Sequence, residues 1–286
     1  MREAAPIFVA GLDHSGKTAL RAALGAHPTI HMVRHIELWT RLRAWHATGA
    51  NGRKRVLDAL TTGRAERLGL DRERLDGSAS RGFADLVCEV GRQLCERAGT
   101  SRWGLQEALL EFEAEHVVRE MPDARIIGLV RDPRDRFQQM RTSGAVGRGG
   151  FAAGTAAWIA SVRAAIAAAE AWPDHVRVIS YEALVDRREP TLREVCAFIG
   201  EPFAAAMAAA EPADSDVGPL PERDVAVIQR RAAAEMMALG YEMLPIATGT
   251  DMLPRRLADA SRWQLGRLSW RRRSSHLHPS VASKRG

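Results

Sequence analysis

Lysine is almost absent from this chain. Of its 41 lysines and arginines, only Lys17, Lys54 and Lys284 are lysine. Cysteine is as scarce. Cys88, Cys95 and Cys196 match no metal-ligand spacing, which excludes a zinc module and a disulfide-built scaffold and points to a reducing compartment. Cys88 and Cys95 stand seven apart in a helical pattern and read as core. No uncharged apolar run reaches about 18 residues, so no membrane-crossing helix is expected. "MREAAPIFVA" lacks a basic n-region and a small-residue cleavage site, so no signal peptide is expected and the expected location is the cytoplasm. No segment repeats.

A net positive charge is missing from most of the chain as well. The total is +6, but residues from Arg255 onward carry +8, which leaves −2 for residues 1–254. A near-neutral body with a basic end is not the profile of a general nucleic-acid binder, and no specific nucleic-acid partner is expected. Length and a hydrophobic fraction of 46% allow one large α/β domain over residues 1–250, followed by a basic tail over residues 251–286.

What is present is "GLDHSGKT", residues 11–18, directly after the apolar run "PIFVA". It meets G-x-x-x-x-G-K-[ST] at Gly11, Gly16, Lys17 and Thr18. A strand feeding such a loop, followed by a helix, presents backbone N–H groups and a helix N-terminus to an anion. Lys17 adds a point charge and the Thr18 hydroxyl a hydrogen bond. The anion is either the β and γ phosphates of a nucleoside triphosphate or the 5′ end of another nucleotide.

Further on, "TIHMV" reads as a second strand, and residues 38–75 are polar, arginine-rich and helical, broken at "GANG". Residues 83–99 place Phe83, Leu86, Val87, Val90 and Leu94 on one helical face. "RWGLQE" is ambiguous. Residues 107–120 read as one amphipathic helix ended by Pro122. Ile126–Val130 is a continuous apolar strand, stopped by Arg131-Asp132-Pro133. An alanine-rich helix follows, with Trp158 in the core, and "HVRVISYEAL" holds another strand whose Tyr181 and Glu182 shape a loop. In "PTLREVCAFIG", Thr191 and Glu194 form a capping box and Gly200 closes the helix. Alternation of strands and helices implies an α/β, P-loop-type three-layer fold, with a mostly parallel sheet flanked by helices and ligands at the carboxyl ends of its strands.

An NTPase needs an acidic residue closing an apolar strand to hold Mg²⁺. Here that position is Arg131, with Asp132 one step late. An arginine there suggests a second phosphate; the alternative is an ion pair with Asp132 or Asp135.

The chain resembles the sulfotransferase superfamily, whose donor is 3′-phosphoadenosine 5′-phosphosulfate (PAPS). "PIFVAGLDHSGKTALRAALGAHPTI" is similar to that family's 5′-phosphosulfate loop, "ARIIGLVRDPRDRF" to its 3′-phosphate motif, and "VISYEALVDRREPTLREVCAFIGEPF" and "EMMALGYE" to its later elements. The resemblance covers residues 6–30 and 102–243; residues 38–100, a helical insertion, would build the acceptor side. It implies a donor site of His14, Ser15, Gly16, Lys17, Thr18, Arg131 and Gln139, with no metal. Three positions depart from the family. His14 stands where Arg or Lys is usual, Lys17 where Thr is usual, and Gln139 where a serine usually completes the 3′ site.

The implied reaction is in-line transfer of a sulfuryl group from PAPS to a hydroxyl or amine of a small-molecule, lipid or glycan acceptor. Lys17 would stabilise charge on the leaving phosphate. His35 and Glu37 are the candidate general bases, with Glu107 a third. Two alternatives stay open: a P-loop small-molecule kinase or NTPase, and a nucleotide-binding protein of the same fold without turnover. The tail mixes Trp263, Leu265, Leu268 and Trp270 with arginines, so it reads either as a solvated tail or as a peripheral membrane contact.

Overall fold

The computed structural model describes residues 5–34, 36–144, 150–210 and 218–245. His35, residues 145–149 and the basic tail lie outside the described residues.

Five strands form one sheet: β1 (Ile7–Ala10), β2 (Ile30–Arg34), β3 (Arg102–Gln106), β4 (Arg125–Val130) and β5 (Val176–Ser180). Their order is β2-β3-β1-β4-β5 and every pairing is parallel. β1 lies in the middle because all four of its residues are apolar and buried. Ile7 and Val9 pack on one side of the sheet, Phe8 and Ala10 on the other. Such two-sided burial is available only to a strand covered by helices on both faces.

On the first face lie α1 (Lys17–Gly25), α9 (Tyr181–Asp186), α10 (Arg188–Ile199) and α11 (Ala205–Ala209). On the second lie a π-turn at Leu38–Leu42, α2 (Arg43–His46), α3 (Ala50–Thr61), α4 (Arg72–Ala79), α5 (Phe83–Ala98) and α6 (Ala114–Glu120). Phe8 meets Trp39 and Trp103 edge-on, at 6.3 and 6.1 Å between ring centres, and this joins the helical region 38–98 to the central strand. α7 (Pro133–Thr142), α8 (Gly150–Ala171) and α12 (Glu222–Ala238) close the carboxyl end around Leu12, Phe137 and Trp158.

The fold class read from the sequence is the one observed. "RWGLQE" proves to be β3, inserted between β2 and β1. The single helix expected over residues 107–120 is instead a 3₁₀ turn at Leu110–Phe112 and the short α6, because Leu109 adopts φ 64 and breaks the run. The expected capping box is also corrected. α10 starts at Arg188, and the Thr191 hydroxyl donates to Ala183 O at 2.8 Å from inside the helix. Gly200 does close that helix, at φ 76. Among the described residues, one helix, Ala152–Ala171, is long and apolar enough by length and composition to cross a membrane, but 61% of its most apolar stretch is buried inside the protein, where Trp158, Val162 and Ala165 belong to the core.

Candidate functional site

Because all five strands are parallel, the residues that follow β1, β3, β4 and β5 emerge at one edge. They are Gly11, Glu107, Arg131 and Tyr181. Gly11 has φ 125 and Gly16 φ 90, backbone that glycine alone adopts without strain. No side chain caps α1. Among the described residues, nothing accepts from the N–H groups of Gly16, Lys17 and Thr18, and the buried Ser15 hydroxyl has no partner. A row of open amides at a helix start, with an orphaned hydroxyl beside them, fits a phosphate or phosphosulfate group.

Lys17 is 4% exposed and turned into the floor of the loop. Its Nζ donates to Gly11 O and Leu12 O, each at 2.6 Å, and lies 3.8 Å from Asp13. Burial lowers its pKa to about 8, against the attraction of Asp13 and Glu111. Below the floor, Glu111 accepts from the Gly11 N–H at 3.0 Å and from the Ser161 hydroxyl. Burial raises the Glu111 pKa. His14 sits half-buried at φ 64, its pKa lowered by burial and then by Arg136. Thr18 is exposed at the loop's rim.

Tyr181 links the loop to Arg131. A Cβ on Gly16 would lie 2.0 Å from the Tyr181 ring, so glycine is required for this approach. The Arg131 guanidinium stands 4.2 Å from the same ring centre. Arg131 and the loop are thus separated by one aromatic ring. Asp132, a possible partner for Arg131 on sequence grounds, caps α7 and binds the Arg134 guanidinium at 2.5 to 3.1 Å. Gln139 lies two turns along α7, half-buried.

The base candidates separate. Glu37 is exposed and pairs with Arg41 at 2.9 Å. Glu107 is 2% exposed, and its carboxylate accepts from the N–H groups of Thr40 at 2.6 Å and Trp39 at 3.3 Å. It therefore anchors the π-turn to the end of β3. Burial raises its pKa to about 7, against those hydrogen bonds. A raised carboxyl pKa stabilises the folded state below the unfolded value of about 4.5, and that contribution is lost as pH rises to about 7. Glu107→Gln is therefore expected to reduce the fall in unfolding free energy between pH 4.5 and 7.5. Urea titrations at the two pH values measure it, and an unchanged difference refutes the assignment.

Sequence reasoning missed Glu111 and Arg136. Arg136 is 5% exposed, and its Nε donates to Asp13 O at 2.9 Å. The only signal was its place five residues after Arg131, which no helical or strand period flags. Among the described residues, no group of three or more His, Cys, Asp or Glu is placed to hold a metal ion.

A glycine loop after the central strand, a helix start behind it and an arginine at the next strand's end define a P-loop-type α/β protein with two cationic subsites. The sulfotransferase family model matches residues 6–205, and the chain belongs to that family. Solved structures share the fold. The sulfotransferase domain of the Synechococcus PCC 7002 olefin synthase is 18% identical, with a TM-score of 0.52 over 93% of this chain and 96% of that one. The sulfotransferase domain from the curacin biosynthetic pathway is 17% identical, with a TM-score of 0.51 over 90% and 99%. Sulfotransferase STF9 from Mycobacterium avium is 14% identical, with a TM-score of 0.50 over 85% and 79%. No curated protein matches the chain.

Proposed function

We propose that the protein moves a sulfuryl group from PAPS to a hydroxyl or amine of a small-molecule, lipid or glycan acceptor. The observation that carries this reading is Arg131. It closes β4, next to the strand that feeds the loop, at the position where a magnesium-dependent enzyme of this fold needs an acid. A cation there suits a second phosphate, such as the 3′-phosphate of PAPS, and Gln139 on α7 would complete that subsite. PAPS brings an activated sulfuryl group. The chain's own part is to hold the 5′ end on the amides of Gly16, Lys17 and Thr18 and the Ser15 hydroxyl, with His14 at the rim. Lys17 adds positive charge beneath the leaving phosphate. His35 and Glu37 come after β2 in the chain and are the proposed bases. Residues 38–100 would shape the acceptor pocket, and the basic tail would act outward on an anionic surface.

The full G-x-x-x-x-G-K-[ST] pattern favours a second reading, a small-molecule kinase. One comparison separates them. In a thermal-shift experiment, 3′,5′-adenosine bisphosphate (PAP), the desulfated donor, added without Mg²⁺ is expected to stabilise the protein more than Mg-ATP does. At 100 times its Kd the gain is about 2.7 kcal/mol. Equal or greater stabilisation by Mg-ATP would reject the sulfotransferase reading.

A further inference from the structure

We propose that Arg136 is a direct ligand of the anion held by loop 11–18, its terminal amino groups contacting the 5′-phosphosulfate end of the donor, while Lys17 stays in the loop floor. The identity of that anion rests on the sulfotransferase reading; the role of Arg136 rests on its surroundings.

Arg136 lies in the first turns of α7, whose start is fixed by Pro133 and the Asp132 cap. Its backbone N–H donates to Asp132 O at 2.9 Å, and its Nε donates to Asp13 O, also at 2.9 Å. The second bond ties α7 to the loop and orients the guanidinium plane. Among the described residues, the two terminal amino groups make no hydrogen bond, and no carboxylate stands within ion-pair distance. The residue is nonetheless 5% exposed. A largely buried cation with no ion-pair partner among the described residues is costly, because most of its hydration is gone and the Asp13 carbonyl replaces only part of it.

The nearby acids do not fill that role. The Asp13 side chain is 82% exposed and lies on the Lys17 side. The Glu111 carboxylate is engaged by Gly11 N–H and the Ser161 hydroxyl. The loop therefore gathers His14, Lys17 and Arg136 with one carboxylate turned outward and another held beneath the floor. Lys17 faces inward, onto two carbonyl oxygens. Beside the loop, Arg136 has donors left over among the described residues. An arginine carries five N–H donors in a planar fork, and one is in use, so a bidentate grip on a phosphate or sulfate oxygen pair remains available.

Isothermal titration of the full chain tests this with three ligands: PAP, adenosine 3′-phosphate, which lacks the 5′ group, and pyrophosphate, which lacks the nucleoside. Arg136→Gln is expected to weaken PAP and pyrophosphate by about tenfold or more, and adenosine 3′-phosphate by less than about threefold. Arg131→Gln is expected to show the opposite pattern, losing adenosine 3′-phosphate and keeping pyrophosphate. Arg136→Lys, which keeps the charge and covers the case in which Arg136→Gln does not fold, is expected to be intermediate. An equal loss for all three ligands, or unchanged pyrophosphate affinity, overturns the proposal. If the parent binds pyrophosphate but not PAP, the sulfotransferase reading fails while the pyrophosphate comparison still decides Arg136. If the parent binds neither, both fail.

Discussion

Gly11→Ala is expected to destabilise the protein by more than about 3 kcal/mol and to abolish PAP binding. Gly11 has φ 125, where an L side chain is strained by about 1–3 kcal/mol. A Cβ there would lie 2.4 Å from Leu129 O and 3.1 Å from the Ser15 hydroxyl oxygen. Leu129 is in β4, and its carbonyl cannot retreat without breaking the register that sets Ala10 beside Gly128. Nor can Gly11 move outward freely. Its N–H is held by Glu111 and its carbonyl by Lys17. Leaving either buried group unpaired costs about 1–3 kcal/mol. Strain, clash and lost bonds act together, which places the substitution among the severe class. Urea denaturation and titration with PAP measure the two effects. A loss below about 1 kcal/mol with binding intact would mean that the loop adopts another backbone.

PAP affinity is expected to fall as pH rises through about 8, by up to about tenfold per unit, as Lys17 loses its proton. The phosphates of PAP are already ionised there, their second pKa being about 6. The groups that set the Lys17 pKa are its own burial, Asp13, Glu111 and Arg136, in that order. Burial dominates and lowers it, so the free protein gives up this proton well below the ordinary lysine value of 10.5. A bound dianion favours the charged amine, so binding takes up a proton above pH 8. Stability moves the other way. Between about 8 and 10.5 the unfolded chain holds a proton that the folded chain does not, so unfolding free energy from this group rises with pH. Lys17→Met is expected to lower affinity at pH 7 and to flatten both slopes. Calorimetric titrations and urea melts at pH 7, 8, 9 and 10 record them. A parent whose affinity is level over that range, or a variant that keeps the slope, refutes the role of Lys17.

Local patterns carried the glycine loop and the end of β4. Gly11, Gly16 and the apolar residues ahead of them are legible because a glycine loop on a buried strand needs only its own sequence to be recognised. Arg131 was legible for a similar reason, since the strand before it is apolar throughout and its end is abrupt. The failures share a cause. "RWGLQE" mixes arginine, glycine and glutamine, and it becomes a strand only because β2 and β1 stand on either side to take its hydrogen bonds. Thr191 and Glu194 have the spacing of a cap, but the helix began earlier, where Arg188 binds the backbone carbonyls of Met207, Ala208 and Ala210.

By itself, then, the amino-acid order determined the parallel α/β class, the glycine loop after β1 and the arginine at the end of β4, because periodicity, apolar runs and glycine conformation act over a few residues. Tertiary structure alone decided which groups surround the loop. Tyr181 against Gly16, Glu111 beneath Gly11, and Arg136 on the Asp13 carbonyl join residues 100 to 165 positions apart. The order in which the parallel strands pair decides which carboxyl-end loops are neighbours, and no local preference of the chain encodes that order.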